Sequence, residues 1–132
     1  MSYIYFSYSA MNRNIVKEIA SNLDAYSLQT WIDFVRLQQN DNWQLECQNA
    51  LQLSKGVVGF LSTSSLRLKR LNQEWNWCLE HNHPIIFISL LNNKYEERKI
   101  PAAYRDVNFI EHEKISTDLN SFITSVKSKF YL

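Results

Sequence analysis

The sequence predicts an α/β fold, a five-stranded parallel sheet of flavodoxin-like order 2-1-3-4-5 with helices on both faces. Three observations lead there. Short segments rich in β-branched and aromatic residues alternate along the chain with segments of helical period. One of them, Gly56 to Leu61 (GVVGFL), is a continuous apolar run too short for a buried helix. Such a run marks a strand covered on both faces at the centre of a parallel sheet. Right-handed crossovers then leave few topologies for five strands, of which 2-1-3-4-5 is the commonest.

Taken in order, Tyr3–Tyr8 (YIYFSY) is the first predicted strand, and Ser9–Asn14 makes a turn with Asn12 as helix cap. Ile15, Val16, Ile19, Ala20 and Leu23 then fall on one face of a helix. Leu28–Phe34 (LQTWIDF) is the second strand, and the polar loop Val35–Asp41 leads to a helix faced by Trp43, Cys47, Ala50, Leu51 and Ser54. After the third strand, Ser62-Thr63-Ser64-Ser65 exits toward solvent, and the next helix carries the apolar stripe Leu71, Trp75, Cys78 and Leu79. Pro84 opens the fourth strand, Ile85–Leu90. Asn92–Arg105 reads as irregular, being charged and interrupted by Pro101. Val107–Ile110 is a short edge strand. Ile115, Leu119, Phe122, Ile123, Val126 and Phe130 form the core face of the closing helix.

Composition narrows the function classes. A chain of 132 residues, 45% apolar and 14% aromatic, is expected to make one globular domain over residues 1–132. The formal charge of +1, with no basic run beyond Arg67–Arg70, gives no case for nucleic acid as partner. No apolar run reaches membrane-spanning length and no signal segment opens the chain, so neither a membrane nor an export route is expected. Cys47 and Cys78 lack a paired spacing and read as reduced core thiols, which suits a cytoplasmic protein. The two glycines, Gly56 and Gly59, both lie inside a strand, which excludes a dinucleotide-binding turn and a P-loop. No G-x-S-x-G elbow accompanies the serines. Cys78, His81 and His83 have no second ligand pair, so they read as a core thiol and solvated helix-end histidines rather than a metal site. The strand ends Tyr8-Ser9 and Leu61-Ser62 carry no acidic cluster for Mg²⁺, which excludes a phosphorelay receiver.

In the expected strand order the switch point lies between strands one and three, at Tyr8-Ser9 and Leu61-Ser62. Glu74 follows one of those ends, and the segment Asp33 to Trp43 lies beside the other. At 100° per residue Glu74 falls at the margin of its helix's apolar stripe, between Trp77 and Cys78, with Glu80 on the opposite, wet face. A rim carboxylate beyond a central strand is placed for chemistry and is expected to contribute little to packing. The commoner role of an arbitrary glutamate is a solvated helix surface.

The succession YIYFSYS, WIDFVRLQQNDNW, GVVGFLSTSS and NQEW resembles a TIR (Toll/interleukin-1 receptor) domain of the bacterial type over nearly the whole chain. The resemblance implies the five-stranded sheet and, in many members, cleavage of NAD⁺ at the nicotinamide–ribose bond by a glutamate at the position of Glu74. It places Tyr8 and Ser9 where members contact substrate, and Trp43 at an aromatic that stacks on a base. Asp33 to Asp41, with Arg36 and Leu37, match the loop after the second strand, and Ser62 ends the third. NAD⁺ enters as substrate; no cofactor and no metal is implied. The implied partners are further TIR domains, bound through self-association that extends to filaments, and a fused or separate sensor or effector domain. The implied setting is bacterial anti-phage defence.

The sequence departs from the pattern in three places. A loop glycine is replaced by Gln39-Asn40-Asp41-Asn42, of which Asn and Asp tolerate left-handed backbone. Ser9 stands where several animal enzymes carry arginine, leaving Arg36 as a substitute phosphate contact, and Arg70 replaces an aromatic one turn before the glutamate.

The chemistry suits a lone acid. Nicotinamide leaves as a neutral group from a cationic one, so no general acid is required, and the ribose passes through an oxocarbenium-like state. One carboxylate near the anomeric carbon stabilises that charge. Stacking on Trp43 would contribute about 1–3 kcal/mol by analogy with nucleic-acid bases. Capture by water yields ADP-ribose; capture by an adenine nitrogen or ribose hydroxyl yields a cyclic isomer. Other roles stand beside these: Trp43 packing under its own helix, Tyr8 as a structural residue, Asp33 as a turn or cap. Two functions therefore stand, an NAD⁺ glycohydrolase or cyclase and a non-catalytic TIR–TIR interaction module.

Overall fold

The computed structural model describes residues 2–32, 43–107 and 109–132, and within these the side chains from Ser2 on except those of Trp43 and Gln44. Strands β1 (Ile4–Ser7), β2 (Thr30–Trp31), β3 (Gly56–Leu61), β4 (Ile85–Ser89) and β5 (Phe109–Glu111) form one five-stranded sheet of order β2-β1-β3-β4-β5. Every pairing is parallel, as the sequence predicts. The three central strands are buried at every residue, whereas β2 and β5 at the edges are half-buried. Apolar density therefore tracks distance from the sheet's edge.

The helices are α1 (Arg13–Ala25), α2 (Trp43–Leu53), α3 (Lys69–Glu80), the single turns α4 (Lys94–Glu97) and α5 (Ala102–Arg105), then α6 (His112–Thr117) and α7 (Leu119–Lys129). Strand periodicity divides the core into two layers. Ile4, Phe6, Tyr8, Val58, Phe60, Ile86 and Ile88 face α1, α6 and α7 through Val16, Ile19, Leu23, Ile115, Phe122, Ile123 and Val126. Tyr5, Val57, Leu61, Ile85 and Phe87 face α2, α3 and α5 through Cys47, Leu51, Leu71, Trp75, Cys78 and Tyr104. Trp75, fully buried, is the largest of these side chains, and truncating such a ring costs roughly 3–5 kcal/mol.

Several boundaries differ from the sequence reading, each for a local reason. The second strand begins at Thr30 instead of Leu28 because α1 ends in a Schellman turn. There Ser27 N–H donates to the Asp24 carbonyl (2.9 Å) and Leu28 N–H to that of Leu23 (3.0 Å). Ser27 sits at φ 62° without being glycine, a conformation that costs an L-residue about 1–2 kcal/mol. The predicted far end of this strand, at Phe34, lies outside the described residues.

Asn12 occupies the N-cap position of α1, yet its side chain makes no capping bond and instead accepts from Ser62. The stretch 92–105, read as irregular, holds the two single-turn helices; Asn93 caps the first by accepting from Glu96 N–H at 2.8 Å, and Pro101 immediately precedes the second. The fourth strand stops at Ser89, and the fifth runs Phe109–Glu111 instead of Val107–Ile110. The expected closing helix is two helices, separated at Asp118. Its carboxylate accepts from Ser121 N–H (3.1 Å) and Ser121 Oγ–H (2.6 Å), which starts α7 afresh. Those two bonds also hold the Asp118 carboxyl below its usual range. Among the described residues no helix is long and apolar enough to cross a membrane.

Candidate functional site

The alternation within β1 turns Tyr5 and Ser7 toward α3, and α3 turns Glu74 back toward them. Tyr5 Oη–H donates to Glu74 Oε2 at 2.7 Å, and Ser7 Oγ–H donates to Oε1 at 2.7 Å. Both carboxylate oxygens thus act as acceptors, as an ionised acid does. Trp75 Nε1–H donates in turn to Ser7 Oγ at 2.9 Å. The Arg70 guanidinium, one turn earlier on α3, stands 4.0 Å from Oε2 and 3.5 Å from Cys47 Sγ. At 38% side-chain exposure its pairing with Glu74 is screened and worth little next to the two hydroxyl donors.

Space for this arrangement depends on β3. Ser7 pairs in register with Gly59, and Gly59 with Phe87. A Cβ at Gly59 would lie 2.8 Å from Trp75 Nε1 and 2.9 Å from Phe87 Cε1. Only a residue without a side chain lets the indole lie across the strand and reach Ser7. Gly56 serves packing on the other layer, where a Cβ would overlap the Phe130 ring.

Glu74 is 8% exposed. It is therefore more buried than the rim position its helical angle suggests. The expectation that it contributes little to packing does not hold, because its removal would leave the Tyr5 and Ser7 hydroxyls without their acceptor. Glu74 lines a cavity of about 370 Å³ between α2 and α3, together with Cys47, Gln48, Leu51, Gln52, Arg70, Gln73 and Trp77. Other depressions reach about 350–360 Å³, so volume alone does not single this one out. A buried acid in the wall does.

Burial, reinforced by the charge of Glu74, drives the Tyr5 hydroxyl far above its ordinary range, so Tyr5 remains a donor at all physiological pH. The same two causes push the Cys78 thiol up to about 12, which makes it an inert core thiol. Cys47 and Cys78 are both buried thiols, as the sequence predicts. His83, expected to be solvated, is instead half-buried, 3.0 Å from Ser54 Oγ, and burial lowers its pKa. His81 is exposed and stacks on Trp77. Among the described residues no group of three or more His, Cys, Asp or Glu side chains is arranged to hold a metal. What the cavity offers chemically is one oriented carboxylate.

The other residues singled out by sequence fall in different surroundings. Tyr8 is buried in the opposite core layer, facing α1 and α7. Ser9, 3% exposed, accepts from Met11 N–H and begins the 3₁₀ turn Ala10–Asn12. Ser62 Oγ–H donates to Asn12 Oδ1 at 2.8 Å and accepts from Ser65 N–H at 3.1 Å, while Ser62 N–H donates to Ser65 Oγ at 2.8 Å. The turn after β1 and the loop after β3 are thus stitched together at the switch point. Asp33, Arg36 and Leu37 lie outside the described residues; Trp43 opens α2, and its side chain is likewise undescribed.

Tyr5, Ser7, Trp75 and Gly59 were not among the residues the sequence marked for the site. One signal was available: in YIYFSY the residues with polar tips on one face, Tyr3, Tyr5 and Ser7, alternate with Ile4, Phe6 and Tyr8 on the other. Tyr3 uses its hydroxyl elsewhere, donating to the Ala50 carbonyl at 2.6 Å.

Against known proteins, residues 4–122 match the family model described as the TIR domain. Among solved structures, the TIR domain of the Toll-related receptor TRR-2 from Hydra magnipapillata superposes with a TM-score of 0.78 at 12% identity, covering 96% of this chain and 99% of that one. At that identity the likeness speaks for the fold alone. No curated protein matches the chain in sequence.

Proposed function

Because the chain belongs to the TIR domain family, we propose that it cleaves NAD⁺ at the nicotinamide–ribose bond with Glu74 as the reacting carboxylate. One observation carries the reading. A glutamate held at 8% exposure accepts hydroxyl donors at both oxygens and lines a cavity of about 370 Å³. A carboxylate kept as acceptor has no proton to give, and this leaving group needs none: the pyridinium departs as neutral nicotinamide when the C–N electron pair moves onto its ring. Positive charge then grows on the ribose, and a fixed anion beside it stabilises that state without reorganising. Attack by water, with loss of its proton, gives ADP-ribose. Attack by an adenine nitrogen or a ribose hydroxyl of the same molecule gives a cyclic ADP-ribose isomer.

Trp43, Arg36, Leu37 and Asp33 are proposed substrate contacts, as are Tyr8, Ser9 and Ser62 near the ends of the central strands. Self-association through TIR–TIR contacts is the proposed means of regulation: a site formed by two chains is populated only when their interface is. Depletion of NAD⁺, or a cyclic nucleotide signal, would serve anti-phage defence.

The deciding experiment is chromatography of NAD⁺ after incubation with the chain over a wide range of protein concentration. Nicotinamide should appear in wild type, with specific activity rising with concentration, and be absent in Glu74→Gln. The second reading is a TIR–TIR interaction module, in which the acid bonded by Tyr5 and Ser7 is structural. Intact NAD⁺ at every concentration would establish that reading in place of the first.

A further inference from the structure

We propose that Ser7, Tyr5 and Trp75 form a positioning relay for Glu74, in which the Trp75 indole fixes the direction of the Ser7 hydroxyl and the two hydroxyls together lock the carboxylate. The catalytic part of this inference rests on the reading of Glu74 given above; the relay itself rests on geometry.

The indole Nε1–H is a donor only. At 2.9 Å from Ser7 Oγ it occupies a lone pair of that oxygen, so the Ser7 proton is turned toward Glu74 Oε1 at 2.7 Å. A serine hydroxyl otherwise rotates among partners; here its donor and acceptor roles are both assigned. Tyr5, 1% exposed and stacked on Trp31 at 5.2 Å, brings a rigid donor to the other oxygen at 2.7 Å.

Every group in the relay is itself held in place. Trp75 is wedged edge-on against Phe87 (5.5 Å) and Tyr104 (5.4 Å) and crosses β3 where Gly59 leaves room. Tyr5 and Ser7 are set by the register of β1 on β3. Two hydroxyls 67 and 69 residues away in sequence thus fix both oxygens of one acid. A buried glutamate needing only solvation could be satisfied by neighbouring backbone or by its own helix. Two directed long-range donors instead set the plane and position of the carboxylate, which a group acting at a defined atom requires. Tyr5, Ser7 and Trp75 are positioning residues; Glu74 alone would meet substrate.

The relay is tested in the full-length chain by two independent measurements. In nuclear magnetic resonance, the Trp75 indole N–H signal, assigned by its loss in Trp75→Phe, should move on Glu74→Gln when Ser7 is present and stay in place when the same change is made in Ser7→Ala. Ser7→Thr, which keeps the hydroxyl, should restore the response. In kinetics, Ser7→Ala and Trp75→Phe should each lower kcat about tenfold, the size expected for one directed hydrogen bond in the transition state, with KM within about twofold. Ser7→Thr should recover most of that loss. An indole signal that responds equally to Glu74→Gln with and without the Ser7 hydroxyl overturns the relay. So does a Ser7→Ala enzyme with unchanged kcat. A wild-type chain that releases no nicotinamide removes the catalytic reading instead, and the resonance cycle then decides by itself whether the relay exists.

Discussion

Two buried polar clusters lie near the carboxyl ends of the central strands, and they differ in how they are closed. At the switch point, Ser62 and Ser65 exchange hydrogen bonds three residues apart, Ser9 bonds two residues ahead, and among the described residues only the Ser62–Asn12 bond reaches a distant segment. Around Glu74 the bonds from Tyr5 and Ser7, and that from Trp75 to Ser7, span 67 to 69 residues and build one chain ending on an ionisable group beside a cavity. Local closure satisfies a loop's own backbone and needs no further explanation. Long-range convergence on a charge costs desolvation of that charge and is not required by any turn. The difference separates a cluster that closes its own loop from one assembled across the sheet around Glu74, the residue the sequence marks for chemistry.

The largest effect expected is at Glu74. Glu74→Ala should abolish nicotinamide release and also lower stability by about 1–3 kcal/mol, because two buried hydroxyls lose their acceptor. Glu74→Gln should abolish release with a smaller stability loss, since its carbonyl oxygen still accepts. Thermal melts beside product chromatography separate the two, and a folded, active Glu74→Gln would return Glu74 to the structural class.

Gly59→Ala comes next. It introduces a Cβ where the Trp75 indole lies and should cost about 1–3 kcal/mol through overpacking, with kcat falling alongside as the Trp75–Ser7 bond is displaced. Normal stability together with normal turnover would show that the indole can move without consequence.

Ser62→Ala probes the other cluster. Loss of the loop's stitching should cost about 1 kcal/mol in denaturant melts, most of its effect falling on stability. A large rise in KM beyond that stability loss would be the mark of the substrate contact proposed for Ser62 and would merge the two clusters into one site.

The smallest effect belongs to Glu80→Ala. Exposed on the far face of α3, Glu80 should change stability by no more than about 0.5 kcal/mol and leave product formation as in wild type. A deficit there would mean that the outer face of α3 takes part in assembly.

The alternation of elements, the all-parallel order 2-1-3-4-5 and the core faces of α1, α2 and α3 were legible in the sequence, which also put Glu74 forward as the candidate acid. These follow from periods of 2 and 3.6 and from short apolar runs, properties that a few neighbouring residues carry among themselves. The breaks were less legible. Asp118 divides the last helix and Ser27 shortens the second strand through side-chain and backbone bonds that compete with a continuing pattern. What only the tertiary structure decided is the surroundings of Glu74: its depth, its donors Tyr5 and Ser7, and the clearance that Gly59 makes for Trp75. Those depend on the register of β1 against β3 and on where α3 comes to rest across them, quantities set by packing between segments nearly seventy residues apart. A pattern read along one segment has no access to them.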